Sequence, residues 1–466
     1  MRAISERSST LLDGVLLRFR IARIQGVPTE LSLGNLRKAD ETLGDAERLV
    51  DAILAARPAD RRALFRGARI AHDRMIVAET ERRNADAVTY SQRAVARIAA
   101  FVTSGPVDRR EGDIAAMIYS NIALAHNNMH RYQEAVSYAR RALDIAKAME
   151  LGPERTSQML SVLALAMRLQ GDLDGALAAI REARALADRI AYDDEATRMF
   201  NRYPILLREG LILGEDRAVS LARRAEAVAS FREALQILEA VASREPNDAT
   251  SRSRIGTIGR ELGEILRWDR PEDALAAYDL ALRRLREIAN NVRARRDIAL
   301  VLAGSSYALR RLGRTEEAER RISEALAILR ETKDYPTADV PFDSPVRAVL
   351  QAVADHHAED GDPARARREY EELIGQVTAA RWDVENDLQQ AHALSLLYQQ
   401  VGHLQRLTGA LDAAAATDAK RVALWRHWDL KRSQNPFVKK QLEELAATKQ
   451  SVATRGTGST RVASTP

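Results

Sequence analysis

The chain has 466 residues, of which 46% are hydrophobic, 29% charged and 5% aromatic, and its net charge is +5 at pH 7. It contains no cysteine, which excludes disulfides, cysteine-ligated zinc and thiol nucleophiles. The basic excess belongs to residues 417–466, where ten Lys or Arg stand against four Asp or Glu, so the other 416 residues sum to about −1, too little to hold DNA.

The N-terminal stretch MRAISERSSTLLDGVLLRF has charges inside its apolar part and no small-residue cleavage site. It is therefore not a secretory signal. No run of 18 apolar residues occurs along the chain, so we expect no membrane span. Together these features predict a cytoplasmic protein.

From about residue 20 onward one pattern recurs: a turn residue, often glycine, then an alanine five positions later, then a larger residue four positions after that. In GRTEEAERRISEAL these are Gly313, Ala318 and Ile322. The anchoring alanines recur every 41 to 51 residues, at Ala39, Ala87, Ala135, Ala176, Ala227, Ala274, Ala318, Ala366 and Ala414. A second helical pattern precedes most anchors, so each unit is predicted to be two antiparallel helices joined by a short turn.

The small anchor has a physical reason. Where two helices cross, a small side chain lets the backbones approach to the shorter end of the usual range of about 8–10 Å. A leucine at Ala176 or Ala318 would overpack the crossing and cost about 1–3 kcal/mol. The larger residue four positions later is expected to fill the space between its own pair and the next.

The ends and interruptions of the pattern suggest boundaries. We predict repeats one to seven in residues 1–332, a Pro-rich loop at 333–346, repeats eight and nine in 347–430, a capping helix at 431–450 and a disordered tail at 451–466. Residues 102–113 are expected to form a second long loop. Asn435 as N-cap and Pro436 as the first helical residue would open the capping helix, on which Trp425 and Trp428 would pack.

The repeated A-x3-[FYI]-x2-A pattern, with a Gly turn before it, resembles the tetratricopeptide repeat (TPR). Ala227 with Phe231, Ala274 with Tyr278 and Ala366 with Tyr370 match the second helix of that repeat, over a region of about residues 20–430. The spacing exceeds the 34 residues of the family, and the Trp of its first helix is missing. The resemblance implies an all-α, tetratricopeptide-type α-solenoid, a right-handed superhelix of about nine antiparallel helix pairs.

The order of motifs also resembles the TPR regions that follow the kinase domain in bacterial serine/threonine protein kinases. RIQGVP, the REGLILGEDRAVSLARRAEAV segment at 208–228 and the closing WRHWDLKRSQNPFVKKQL carry this resemblance. It implies a sensor or regulatory region whose catalytic domain is absent from this chain. An in-frame kinase with a membrane span upstream of Met1 would support this alternative and would place the repeats outside the cytoplasm.

No catalytic motif occurs: the kinase, phosphate-loop and H-E-x-x-H signatures are all missing. We therefore predict no enzyme activity, no cofactor, no small-molecule substrate and no metal site. His356 and His357 are adjacent, so on a helix they point about 100° apart and cannot chelate one ion from a single face. His357 and His126 occupy first-helix packing positions.

The remaining candidate is a binding surface. In a TPR array the first helices line the concave groove, so their outward residues would meet a ligand. Counting from each anchor, the residues expected to be exposed there are Arg69, His72, Asn121, Asn127, Asn128, Arg168, Arg310, Arg311, Gln399 and Arg406. The Lys/Asn set of chaperone-binding TPRs is not reproduced. An Arg- and Asn-rich groove favours an extended polypeptide, held through backbone and carboxylate bonds.

A third hypothesis is nucleic-acid binding through the basic tail. It predicts salt-sensitive binding that is lost when residues 430–466 are deleted. The main hypothesis is a non-catalytic scaffold for protein–protein interaction whose partner is a protein or peptide, with no nucleic acid expected.

Overall fold

The computed structural model describes residues 2–28, 32–244 and 248–457, and every regular element in them is an α-helix. The helices are α1 Arg2–Gly26, α2 Leu36–Ala56, α3 Arg61–Thr80, α4 Asn84–Thr103, α5 Arg109–Asn128, α6 Tyr132–Ala148, α7 Pro153–Gln170, α8 Leu173–Ala187, α9 Glu195–Gly214, α10 Arg224–Arg244, α11 Ala249–Leu266, α12 Pro271–Arg286, α13 Val292–Arg311, α14 Thr315–Glu331, α15 Pro345–Glu359, α16 Pro363–Ala379, α17 Leu388–Leu407, α18 Leu411–Lys431 and α19 Pro436–Thr457. Consecutive helices pack in pairs, from α1 with α2 to α17 with α18, and α19 follows the last pair. The all-α, TPR-type solenoid fold is confirmed.

Each predicted anchor is the fourth residue of a second helix. Its N–H donates to the carbonyl of the residue just before that helix, as Ala318 does to Arg314 at 3.1 Å and Ala414 to Ala410 at 3.0 Å. All nine anchors are buried, with none more than 2% exposed. The repeat found in the sequence therefore marks the first full turn of each second helix, where its small residue is buried.

The residue five positions before the anchor turns the chain between the two helices. In eight of the nine pairs it has a left-handed backbone, at Gly34, Arg82, His130, Gly171, Ala222, Gly313, Gly361 and Gly409. Glycine adopts this conformation without a steric penalty, whereas a side chain adds a cost of about 1–2 kcal/mol. The interpretation of Gly171 as a turn is confirmed, and three pairs make the same turn at a higher conformational cost.

The large residue four positions after the anchor packs between neighbouring pairs. A Cβ on Gly263 would meet the Tyr278 ring at 2.6 Å, and a Cβ on Gly304 of the next first helix would meet Tyr278 at 2.9 Å. Phe231 is accommodated by Gly210 in the same way. Glycines on the first helices therefore make room for the aromatic ring that joins one pair to the next.

The chain divides into two compact units. Unit 1 comprises Met1–Gln170 and Ala178–Ile190, and unit 2 comprises Gly171–Leu177 and Ala191–Pro466. The predicted Pro-rich loop lies inside unit 2 and is packed: Val340 is fully buried, its N–H donates to the Gln376 carbonyl at 3.1 Å, and its carbonyl accepts from Trp382 Nε1 at 2.9 Å. It is a tight connection within unit 2.

Two loops are shorter than the sequence predicted. Helix α5 begins at Arg109, because Asp108 and Glu111 form a capping box, so the expected loop at 102–113 shrinks to residues 104–108. Helix α15 begins at Pro345, with Ser344 accepting from the Val346 N–H at 3.2 Å, so the Pro-rich loop ends before its predicted boundary.

The last helix packs as predicted at its start. Asn435 Oδ1 accepts a hydrogen bond from the Val438 N–H at 3.2 Å, and Pro436 is the first helical residue. Trp425, Trp428 and Val438 belong to one buried hydrophobic cluster.

Helix α19 runs further than predicted. It continues to Thr457, so residues 451–457 of the predicted disordered tail are helical. Once a helix is nucleated each further residue adds a backbone hydrogen bond, and residues 447–455 contain neither proline nor glycine to stop it. The rest of the predicted tail, residues 458–466, lies outside the described residues, and the basic-tail hypothesis stays a prediction.

Candidate polypeptide-binding faces

In each unit several first helices of successive pairs lie against one another. In unit 1, α3 contacts α5 and α5 contacts α7; in unit 2, α11 contacts α13 and α13 contacts α15. Among the described residues, successive second helices such as α12 and α14 make no comparable contact. The first helices therefore form the inner side of each unit's curvature, where polar side chains of neighbouring pairs meet.

In unit 1 the inner side carries a group that we call the amide face, consisting of His72 on α3 and Asn121, Asn127 and Asn128 on α5. Two hydrogen bonds join the helices like rungs: Asn121 Nδ2 donates to His72 Nε2 at 3.0 Å, and Asn128 Nδ2 donates to Glu79 Oε1 at 2.8 Å. The rungs are seven residues apart on both helices, or about 10.5 Å at 1.5 Å per residue. Each amide is held by its nitrogen, while its carbonyl oxygen makes no hydrogen bond to the described residues.

The protonation of His72 follows from its partners. Its Nε2 accepts from Asn121, and its Nδ1 lies 2.8 Å from Asp73 Oδ1. The hydrogen-bond network thus assigns the proton to Nδ1, which donates to the Asp73 carboxylate. Arg23 completes the chain with an ion pair to Asp73 at 3.4 Å. The first rung is therefore fixed by a line of four side chains.

Asn127 is the least satisfied member of the amide face. It is 4% exposed, and neither its Oδ1 nor its Nδ2 has a hydrogen-bond partner. Leaving a buried polar group unpaired costs about 1–3 kcal/mol. Its presence beside Asn128 places unused amide hydrogen-bonding capacity at the C-terminal end of α5.

The other two predicted residues of unit 1 differ in exposure. Arg69 is half-buried with its guanidinium 4.8 Å from the Phe19 ring centroid, and burial together with the charge of Arg23 lowers its pKa. Arg168 is only 5% exposed. The expected exposure was wrong for His72, Asn127 and Arg168, which are 8%, 4% and 5% exposed, because position along a helix alone does not show which side chains the fold covers.

The predicted residues of unit 2 lie mostly against their own protein. Arg310 Nε is 3.0 Å from Glu359 Oε2 and the arginine side chain is 5% exposed, whereas Arg311 is exposed. Gln399 accepts from Arg421 at 3.2 Å and Arg406 donates to Asp418 at 2.8 Å. Both partners are on α18, so the polar ends of Gln399 and Arg406 reach toward their own pair, although Gln399 is exposed as predicted. Long polar side chains reach back to the second helix, which helical position alone does not reveal.

Unit 2 carries a second inner group, which we call the arginine–aromatic face: Arg217, Trp268, Tyr307, Arg310 and Asp355. The Arg217 guanidinium lies 5.3 Å from the Trp268 centroid and 5.7 Å from that of Tyr307, and 3.9 Å from Asp355. Tyr307 donates to Asp355 Oδ2 at 2.7 Å. Burial and the charge of Asp355 raise the pKa of Tyr307, so its hydroxyl keeps its proton.

Arg217 belongs to the 215–223 loop between α9 and α10, and this loop lies along the first helices of unit 2. Two residues after Arg217, Val219 is fully buried in a cluster with Leu388, Trp425 and Trp428. The arginine–aromatic face is therefore occupied by a segment of the chain itself. The sequence analysis named only Arg310 of this face, because its other members stand at unrelated repeat positions and no local pattern indicates where a loop docks.

Among the described residues of unit 1, the most buried charged side chain lies on α2, away from the amide face. Glu47 is 2% exposed and accepts from Arg74 and Arg97, each at 2.7 Å, with Arg93 at 3.0 Å. Burial alone would raise the pKa of Glu47, but the hydrogen bond from Arg74 and the charges of Arg97 and Arg93 lower it overall. A single carboxylate is thus compensated by three guanidinium groups away from the amide face.

The histidines act as packing groups. Burial and the charge of Arg131 lower the pKa of His126 to about 4, so its ring is neutral at pH 7, and Ser91 lies 3.0 Å from its Nε2. His356 and His357 pair with different carboxylates, those of Asp360 and Glu369. Within the part of the chain that the structure describes, no three His, Asp or Glu side chains are grouped to hold a metal ion.

Comparisons with known proteins agree with this architecture. Residues 114–189, from α5 to just beyond α8, match the family model of the tetratricopeptide repeat. No curated protein matches the sequence. No helix in residues 2–28, 32–244 or 248–457 has both the length and the apolar character to cross a membrane.

Solved structures resemble most of the chain at low sequence identity. Apo RapI is 12% identical, with 91% of this chain and 98% of that chain covered and a TM-score of 0.54. The apo quorum sensor NprR from B. thuringiensis is 10% identical, with 90% and 99% covered and a TM-score of 0.51. A Rap protein complexed with Competence and Sporulation Factor is 13% identical, with 81% and 99% covered and a TM-score of 0.42. At these identities the likeness shows the fold alone.

Proposed function

We propose that this tetratricopeptide repeat protein is a non-catalytic scaffold that binds an extended polypeptide on the amide face of unit 1. The fold supports a role in protein interaction, and it is shared with a protein described as a quorum sensor, NprR. The observation that carries the proposal is the pair of rungs, His72–Asn121 and Glu79–Asn128, which hold two amide groups in fixed positions.

The spacing of the rungs matches an extended backbone. Seven residues of helix cover about 10.5 Å, and a peptide in the extended polyproline II conformation advances about 3.1 Å per residue with three residues per turn, so N–H groups three residues apart lie about 9.3 Å apart on the same side of the peptide. Each carbonyl oxygen, at Asn121 and Asn128, could accept a backbone N–H of such a peptide. The rungs anchor the nitrogens beforehand, so little side-chain freedom is lost on binding.

Asn127 directly precedes Asn128 and lies about 100° round α5 from it, so its amide reaches the amide face only if the side chain turns. Because its Oδ1 and Nδ2 are unpaired and buried, a ligand that shifts the side chain toward itself would satisfy both groups. Neutral amides recognise the peptide backbone, not a particular side chain. The amide face is therefore expected to select for extended conformation, with sequence preference supplied by the surrounding residues.

A peptide selection tests this proposal. The full-length chain is immobilised and used to select binders from a random linear heptapeptide library, and the affinity of each selected peptide is measured for wild type and for the double variant Asn121→Ala/Asn128→Ala. Losing two hydrogen bonds should weaken binding by about tenfold or more. The control is Asn84→Ala, which removes an exposed amide from α4 of the same unit and should leave affinity unchanged. Failure to select any peptide, or equal affinity for the double variant, contradicts the proposal.

A further inference from the structure

Arg347 lies in the first turn of α15. The side chains in contact with its guanidinium group carry no negative charge. Its Nη1 donates to Gln351 Oε1 at 3.1 Å, and its Nε is buried without a hydrogen-bond partner. The rings of Phe342 and Trp382 lie 5.8 Å and 6.0 Å from it, edge-on to each other. These contacts hold the Arg347 side chain in place, but none of them brings a negative charge to the guanidinium.

No carboxylate of the described residues lies within ion-pair distance of Arg347. Burial and the like charge of Arg217 lower its pKa to about 10, with a smaller opposing effect from Glu215. Even so, the guanidinium stays charged at pH 7. The Arg347 side chain is half-buried, and a charge that is partly removed from water without a partner is unfavourable, so proteins ordinarily compensate it with an opposite charge.

Two further hydrogen-bonding groups lie in the first turn of α17, the next first helix. Gln389 Nε2 and His392 Nδ1 are both buried without a partner, and their residues are 8% and 7% exposed. They are three positions apart, so they share one side of the helix. Burial and the charges of Arg421 and Arg347 lower the pKa of His392 to about 4, so its ring is neutral at pH 7.

The one carboxylate in this turn is already used. Asp387 caps α17 by accepting from the Gln389 and Gln390 N–H groups at 2.8 Å and 3.1 Å, and from Gln390 Nε2 at 2.8 Å. It therefore serves its own helix. The first turns of α15 and α17 also present the positive ends of their helix dipoles.

We propose that Arg347 is the centre of an oxyanion-binding site in unit 2, which takes a single carboxylate or phosphate group. A planar guanidinium binds such a group through two parallel hydrogen bonds. Phe342 and Trp382 hold its plane, and Gln389 and His392 supply further hydrogen bonds at the mouth of α17. The site is separate from the amide face and does not depend on the proposed polypeptide binding.

Calorimetric titration of the full chain tests the site, with inorganic phosphate and acetate as probes and chloride as the reference at constant ionic strength. Wild type should bind one equivalent of phosphate or acetate, and Arg347→Gln should lose at least about tenfold in affinity. Arg320→Gln, which removes a 70% exposed arginine of α14, is the charge-matched control and should bind as wild type does. Binding of phosphate alone identifies a phosphoryl site, and comparable binding of acetate identifies a carboxylate site.

Thermal unfolding supplies a second, independent readout. In chloride buffer Arg347→Gln should unfold at a temperature equal to or higher than wild type, because the unmatched charge is gone. Phosphate or acetate should then raise the Tm of wild type and Arg320→Gln but not that of Arg347→Gln. No anion response in wild type beyond chloride, or an equal response in Arg347→Gln, overturns the proposal.

Discussion

The two units of this protein use the same helical repeat but place their charges differently. Unit 1 concentrates charge around Glu47 on α2, and its inner side presents the neutral amide face. Unit 2 brings arginines, aromatic rings and Asp355 to its inner side, and its own 215–223 loop occupies that surface. The small anchor fixes how helices pair, whereas the polar residues decide what the inner side presents, which is a pair of hydrogen-bonded amides in unit 1 and a docked loop of the chain in unit 2.

The largest expected effect comes from the buried charge of unit 1. Glu47→Gln removes one charge from a cluster with Arg74, Arg93 and Arg97, and should lower the free energy of unfolding by about 3–5 kcal/mol at pH 7. Urea denaturation measures this. Asp45→Asn, which breaks an exposed pair with Arg48, is the control and should change stability by less than about 1 kcal/mol.

The same cluster predicts a pH dependence. The folded pKa of Glu47 lies below its unfolded value of 4.5, so its stabilisation is fully present above that value and disappears as the pH falls through the folded pKa. The stability difference between wild type and Glu47→Gln should therefore shrink below pH 4.5. A difference that stays constant between pH 7 and pH 3 would show that Glu47 is not the group responsible.

Asp355 is the corresponding carboxylate of unit 2. Asp355→Ala leaves the hydroxyls of Tyr307 and Tyr370 without an acceptor and should cost about 2–4 kcal/mol. Asp279→Ala, which removes a 39% exposed partner of Arg321, should cost less than about 1 kcal/mol. If the two variants were equally stable in urea, the arginine–aromatic face would not contribute to the stability of unit 2.

A substitution at Asn127 should raise the free energy of unfolding, whereas the preceding substitutions lower it. Leucine has the same branching as asparagine but no polar atoms, so Asn127→Leu should raise the free energy of unfolding of the unliganded chain by about 1 kcal/mol. The exposed Asn84→Ala should be nearly neutral. A destabilised Asn127→Leu variant would mean that the buried amide is satisfied within the fold.

The smallest effect concerns the turns. Ala222→Gly relieves a left-handed backbone in the 215–223 loop and should stabilise the protein by less than about 1 kcal/mol, since glycine also makes the unfolded chain more flexible. Gly313→Ala makes the reverse change where the new Cβ meets no atom within 4 Å, and should destabilise by about 1 kcal/mol. Shifts in Tm of opposite sign for the two variants would confirm that backbone conformation alone determines their effect on stability.

Local patterns predicted much of the fold. The alanine period, the glycine turns and the Asn435–Pro436 helix start depend on neighbouring residues, and the structure shows them where the sequence indicates. The loop at 102–113 was predicted too long, because the start of α5 depends on the side-chain geometry of Asp108 as well as on its place in the sequence.

The candidate faces were predicted less well. Position on a first helix suggested Asn121 and Asn128, but it could not show that Gln399 and Arg406 turn back to α18. The unmatched charge of Arg347 and the docking of Arg217 arise from contacts between distant residues. A single sequence contains no signal for such contacts, because they depend on how far apart neighbouring pairs are held.

The central claim is that the amides of α5 hold a peptide backbone, and side-chain NMR tests it most directly. The full-length chain labelled with ¹⁵N at asparagine gives separate NH₂ signals, assigned from the Asn121→Ala and Asn128→Ala variants. On addition of a selected heptapeptide, the signals of Asn121 and Asn128 should move and saturate with the binding curve, while that of Asn84 stays in place. Saturable peptide binding that leaves the Asn121 and Asn128 signals unmoved would contradict the account.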